Sequence, residues 1–227
     1  YQHFDNLYTL DERPDYEPDP STSLGQRARA RGVSVLQLAL EIMAAGDGKT
    51  ILYYPVLNYT EHSLDPSLEM MRHQHTVLGL GDGGAHCGTI CDASFSTYML
   101  THWARDRRRG ERLPLPWVVK AHTRDTASAV GLLDRGVLAP GYKADINLID
   151  FERLNLRRPE VRYDLPGGGR RLMQNADGYV ATIVSGQVVY QNGDATGALP
   201  GRLVRGRQAR PAAASLDPAA AKAASYV

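Results

Sequence analysis

Thr76-Val-Leu-Gly-Leu-Gly-Asp82-Gly-Gly-Ala-His86 sets a short apolar run directly against a carboxylate and a pair of glycines. The run from Thr76 to Leu80 shows no apolar/polar alternation, so it reads as a strand buried on both faces. Gly83 and Gly84 let the main chain turn sharply beside the strand end. An aspartate there fits a functional carboxylate, and it also fits a helix cap or an Asx turn in a glycine-rich loop. Neither a G-x-G-x-x-G nor a P-loop pattern is present, so the segment is not read as a phosphate cradle.

Working outward, the elements on either side predict alternating helices and strands. Ser34 is a good helix N-cap and Gln37 completes a capping box. Leu36, Ala39, Leu40 and Met43 then follow i, i+3, i+4, i+7 spacing as far as the stop at Gly46. Ile51-Leu-Tyr-Tyr-Pro-Val-Leu57 is a second unalternated apolar run, read as a doubly buried strand. A helix opened by Asp65 and Pro66 reaches about His73 and leads into the Thr76–Leu80 strand. Helix, strand, helix, strand at this spacing predicts βα units and a parallel sheet. In a (β/α) barrel the C-terminal strand ends hold the reacting groups, which is where Asp82 falls.

Beyond the loop from Gly81 to Ala93 a helix is predicted from Ser94 to Arg109. Its last turn carries Arg105, Arg107, Arg108 and Arg109, which suit the helix dipole. Two short helices follow, one opened by Pro116 and one capped by Thr123 and stopped by Gly131. The character then turns to β. Leu138-Ala-Pro-Gly141 reads as a type II turn. Ala144 to Asp150 reads as a strand with Ile146 and Leu148 on one face. Tyr179 to Val184 and Gln187 to Gln191 form a hairpin through Ser185-Gly186, closed by Asn192-Gly193. The Pro/Ala-rich stretch beyond about Arg207 reads as a disordered tail.

Composition narrows the classes. With 26 Lys and Arg against 25 Asp and Glu, the formal charge of +1 offers no electrostatic case for nucleic acid or an anionic membrane as partner. No stretch approaches the ~20 apolar residues of a membrane span. The two cysteines are too few for a disulfide scaffold, so thiols and a cytoplasmic location are expected.

The motifs Thr76–His86 with Cys91-Asp-Ala-Ser94, Gly131–Asp145, and Ile183–Tyr190 with Thr196–Arg202 occur in an order that resembles metal-dependent amidohydrolases. The branch they most resemble is the N-acyl-D-amino-acid deacylases (D-aminoacylases). The resemblance runs from about Pro14 to Gly206. It implies an α/β chain: the C-terminal part of a (β/α)8 TIM-barrel amidohydrolase, contributing the last two βα units, followed by a small β domain. The expected division is 1–133, barrel; 134–207, β domain; 208–227, tail. The resemblance also implies one or two divalent ions, usually zinc, beside Asp82. Asp82 would take a proton from the metal-bound water as hydroxide attacks the amide carbonyl, then deliver it to the leaving nitrogen. Asp82 is accordingly the expected catalytic residue and a possible metal ligand. Gly83, Gly84 and His86 are expected to line the substrate pocket, with a loop-structuring role the alternative for His86.

Departures from the pattern bear on specificity. Gly81 stands where relatives often have Ser or Ala. No Arg or Lys lies between Asp82 and Ser94, where several D-aminoacylases have an arginine for the substrate carboxylate. The metal-binding His-x-His belongs to the first barrel strand and lies upstream of this chain. His73-Gln-His75 imitates it at the wrong end of the strand: seven residues at about 3.3 Å put His75 roughly 20 Å from Asp82. Cys87 and Cys91 lack partner ligands. Two strands cannot close an eight-stranded barrel, so the remaining strands are expected from a longer chain or a partner subunit. The expected substrate is a small-molecule amide. A hydantoinase-like amidohydrolase, or a non-catalytic truncated or interaction chain, are the alternatives.

Overall fold

A computed structural model describes residues 4–59, 61–79 and 87–212. These residues divide into two compact units, one drawn from 4–59, 61–76, 87–113 and 154–177, the other from 77–79, 114–153 and 178–212.

In the first unit, Ser34 Oγ accepts the Gln37 N–H at 3.1 Å and starts the helix Val35–Ala44 as expected. The Gln37 side chain does not complete the capping box; it donates to Glu41 Oε1, which leaves a polar stripe with Arg31. The buried face also differs from expectation. Leu38 and Ala39 pack on Leu24 and Ala28 of the helix Leu24–Arg31, with Val35 and Ile42 beside them. Leu36, Leu40 and Met43 are about half exposed or more. The helix is apolar on both sides of its polar stripe, and both series obey helical spacing, so periodicity alone cannot choose between them.

The two expected barrel strands are not seen as such among the described residues. Only Leu52–Tyr53 of the first is a strand, and it pairs antiparallel with Tyr8–Thr9. Val56 and Leu57 are exposed, and Pro55 lacks the N–H a ladder needs. Thr76–Gly79 carry no strand, and Leu80 lies outside the described residues. A parallel pair needs a crossover connection between its strands, which the antiparallel pair seen here does not. The helix Asp65–Arg72 has Leu64 rather than Asp65 at its N-cap position.

From Asp92 a turn of 3-10 helix leads into α-helical Phe95–Tyr98 and then π-helical Met99–Asp106. The helix ends at Asp106, so of the predicted basic turn only Arg105 is helical; Arg107 follows with extended backbone. Two short antiparallel pairs complete this unit: Asn155–Leu156 with Ala176–Asp177, and Glu160–Leu165 with Gly169–Met173 around Pro166-Gly167-Gly168. The second hairpin is absent from the sequence expectation, although its Pro-Gly-Gly is a strong turn signal.

In the second unit the two predicted short helices are one continuous stretch, Leu115–Lys120 passing through π-helical Ala121–Asp125 into Thr126–Ala129. Thr123 does not cap; its hydroxyl donates back to Val119 O at 2.8 Å. Gly131, with φ of 77°, stops the helix as expected. The hairpin Tyr179–Val184/Gln187–Gln191 forms at the predicted bounds. It is the centre of an antiparallel sheet ordered Asp194–Ala195, Gln187–Gln191, Tyr179–Val184, Ile146–Ile149. Ile146 is only half-buried, and Leu148, expected to be buried on the same face, is exposed; the register shifts just beyond it, between Leu148 and Ile149. Gln208 forms a parallel bridge with Leu132, so the chain stays ordered just past the expected tail boundary.

Candidate active site

Asp82, Gly83, Gly84 and His86 lie outside the described residues. The loop becomes describable at Cys87, whose carbonyl accepts the Leu172 N–H at 2.6 Å from the strand Gly169–Met173. Cys87 and Cys91 are free, half-buried thiols, and burial, with Asp92 nearby, raises the Cys91 pKa. Ser94 Oγ donates to Gln174 Oε1 at 2.5 Å and lies 3.2 Å from Cys91 O.

His73 and His75 are exposed on the segment after Asp65–Arg72. Their rings are 5.4 Å apart, and the His75 N–H donates to His73 Nδ1 at 3.3 Å. Among the described residues no three His, Cys, Asp or Glu side chains gather to hold a metal ion. The described residues therefore do not build a zinc site, and ligands are assigned to none of them.

The structure adds a charged cluster that the sequence reading did not contain. Glu17 is 2% exposed and accepts two bonds from Arg107, Nε to Oε2 and Nη2 to Oε1, both 2.9 Å. Its Oε1 also accepts the Leu64 N–H at 2.9 Å, which holds the start of the helix Asp65–Arg72. His102 Nε2 meets Oε2 at 3.0 Å, and its ring stacks on Tyr98 at 4.5 Å. Arg107 further donates to Asp65 Oδ1 and to Glu111 O, and covers the Trp103 ring at 4.6 Å. Burial alone would raise the Glu17 carboxyl pKa. The hydrogen bonds from Arg107 and Leu64, and the Arg107 charge, outweigh it and hold the pKa at about 2. Burial lowers the His102 pKa against the pull of Glu17, so the neutral ring donates from Nε2 to the carboxylate. Both Glu17 oxygens are occupied and neither Glu17 nor Arg107 presents a face to solvent. The cluster fastens three chain segments together. Its only sequence signal is the complementarity of an acidic run, Asp11 to Asp19, with the basic run from Arg105 to Arg109.

Comparison with known proteins shows the family. The sequence profile of the amidohydrolase family matches residues 26–190, most of the chain and all of the Asp82 segment. The chain belongs to the amidohydrolase family. Over 129 residues it is also 30% identical to proteins from two strains of Desulfitobacterium hafniense, DSM 10664 / DCB-2 and Y51. Each is named 5-methylthioadenosine/S-adenosylhomocysteine deaminase. The matched region is 57% of this amidohydrolase chain and 30% of each relative, so the chain spans about a third of the relatives' length. No solved structure matches it significantly. No helix among the described residues is long and apolar enough to cross a membrane.

Proposed function

We propose that this chain supplies the closing part of an amidohydrolase barrel and its small β domain, and that Asp82 moves the proton during hydrolysis of a carbon–nitrogen bond. The family match across Asp82 carries this reading. Hydrolysis of an amide and deamination of an adenine share one course. Water adds to a carbon bearing nitrogen, its proton passes to that nitrogen, and the carbon–nitrogen bond breaks. A carboxylate followed directly in sequence by two glycines, as Asp82 is, suits that transfer in both. A divalent metal, zinc in the first instance, would activate the water in such an enzyme. Ligands for it would come from the remaining barrel strands or from the Asp82 segment.

N-acyl-D-amino acids are the first substrate class, on the three ordered motifs that resemble D-aminoacylases. Deamination of an adenosine thioether is the second reading, favoured by the 30% identical deaminases. Small-molecule substrates, remaining barrel strands from a longer chain or partner subunit, and a cytoplasmic location with both thiols free complete the proposal. The test is to assay the whole protein for release of amino acid from N-acetyl-D-amino acids, and of ammonia from 5′-methylthioadenosine and S-adenosylhomocysteine. Asp82→Asn should lower turnover by about 10²–10⁴-fold with metal content unchanged, and retention of more than about a tenth of the rate overturns the role.

A further inference from the structure

We propose that the segment from Ala195 to Ala212 is an interaction surface for an anionic lipid membrane. It carries Arg202, Arg205, Arg207 and Arg210 and no acid. The whole-chain charge of +1 therefore hides a local excess, and the rest of the chain is acidic on balance. All four arginines are exposed, and none makes an ion pair or a side-chain hydrogen bond among the described residues. Arg157, Arg162 and Arg171, by contrast, are each matched by an acid.

The strip is held in place by its neighbours in the second unit. The Gln208 N–H donates to Gly131 O at 2.9 Å, and the Gln208 carbonyl accepts the Leu133 N–H at 3.2 Å. A Cβ on Gly131 would lie 3.4 Å from Arg207 Cγ, and one on Gly141 3.1 Å from Pro211 Cβ. The acids of the adjoining stretch 131–145, Asp134 and Asp145, are paired with Arg135 and Lys143, so the charge of the strip stays uncompensated.

Apolar side chains choose between anionic partners. Leu199 is 93% exposed and Leu203 78%, and Val204, Val130 and Leu138 are exposed as well. Water-facing leucines interleaved with arginines suit a membrane surface, where the cations meet anionic headgroups and the leucines enter the acyl boundary. A single-stranded nucleic acid favours aromatic side chains on which its bases stack. No aromatic residue lies between Tyr190 and Ala212.

The experiment is co-sedimentation of the 227-residue chain with vesicles of phosphatidylcholine and phosphatidylserine, beside vesicles of phosphatidylcholine alone. Binding is expected to the first only, and it should weaken as salt is raised. Each arginine should contribute about five-fold to partitioning, so the Arg202→Gln/Arg205→Gln/Arg207→Gln/Arg210→Gln variant should bind on the order of several hundred-fold more weakly. Leu199→Ser/Leu203→Ser should weaken binding by about ten-fold or more with the melting temperature unchanged, since both side chains are exposed. This second variant decides the matter if the first fails to fold. No binding to either vesicle, equal binding to both, or full binding by the arginine variant overturns the proposal. So does a leucine variant that binds as the wild type does. Tighter binding to oligouridylate or polyglutamate than to the vesicles, untouched by the leucine substitutions, also overturns it and gives the strip to a nucleic acid or an acidic protein.

Discussion

Glu17 and Arg107 stand 90 residues apart in sequence and meet as a two-bond ion pair at 2.9 Å, with both side chains shut away from solvent. A planar guanidinium matched to a carboxylate satisfies both Glu17 oxygens at once, which a lysine could not do. The pair ties the irregular Pro-rich segment around Glu17 to the end of the helix at Asp106. Through Leu64 and Asp65 it also holds the start of Asp65–Arg72.

Breaking the pair from one side should be far worse than removing both charges. Arg107→Met leaves Glu17 buried without a counter-charge and should cost about 3–5 kcal/mol in urea unfolding. The Arg107→Met/Glu17→Gln double variant removes the stranded charge and should recover part of that loss. A double variant as unstable as the single would show that packing on Trp103, rather than the charge, sets the effect.

Acid sensitivity follows from the same cluster. The Glu17 pKa is about 2 in the folded chain against an ordinary 4.5, so the unfolded chain takes up the proton first. Stability from Glu17 is therefore present above pH 4.5 and lost as pH falls toward 2. By linkage the whole span is worth about 3 kcal/mol. His102 acts with the same sign: its folded pKa lies below 6.5, so its share begins to fall below pH 6.5. Unfolding free energy measured from pH 7 to pH 3 should decline, and Glu17→Gln should flatten the part below pH 4.5. An unaltered acid slope in that variant would remove Glu17 as its source.

What could be seen in the sequence was what depends on neighbours along the chain. The hairpin turn at Ser185-Gly186, the Ser34 cap and the Gly131 stop are decided within a few residues, and all appear in the structure. Asp82 was legible as a carboxylate in a recognisable setting because the motif around it is contiguous. Glu17 with Arg107, and Gln174 with Ser94, are long-range partners of ordinary residue types, with no spacing rule to announce them. The expectation of doubly buried parallel strands at Ile51 and Thr76 is met among the described residues only by the short antiparallel strand Leu52–Tyr53, for a related reason. An apolar run shows that a segment seeks burial but not which strands will lie beside it.

The helix Val35–Ala44 gives the sharpest contrast between its two apolar faces. Leu38 is 1% exposed against Leu24 and Ala28, whereas Leu40 is 60% exposed. Leu38→Ala in the 227-residue chain should cost about 2–5 kcal/mol through lost burial and the cavity left behind. Leu40→Ala should stay within about 1 kcal/mol, since alanine's helix propensity offsets the little contact removed. Chemical denaturation of the two variants distinguishes the faces, and equal losses would mean that Leu40 is covered in solution.

Two glycines of the second unit separate backbone strain from steric clash. Gly186 has φ of 78° beside Ser185 at 52°, the paired positive values of a type I′ turn, and a Cβ there would meet nothing within 4 Å. Gly186→Ala should therefore cost only the left-handed backbone penalty, about 1–2 kcal/mol. Gly136 has the same φ of 78°, but a Cβ there would lie 2.7 Å from the Thr123 carbonyl oxygen, inside the helical stretch Ala121–Asp125. Backbone cannot move aside as a flexible side chain can, so Gly136→Ala must displace the helix or the turn and should exceed Gly186→Ala by several degrees of melting temperature. A conservative check is Ser185→Asn, which favours positive φ and should leave the melting point unchanged or raise it. Equal destabilisation by the two alanine variants would mean that the close approach at Thr123 is absent in solution.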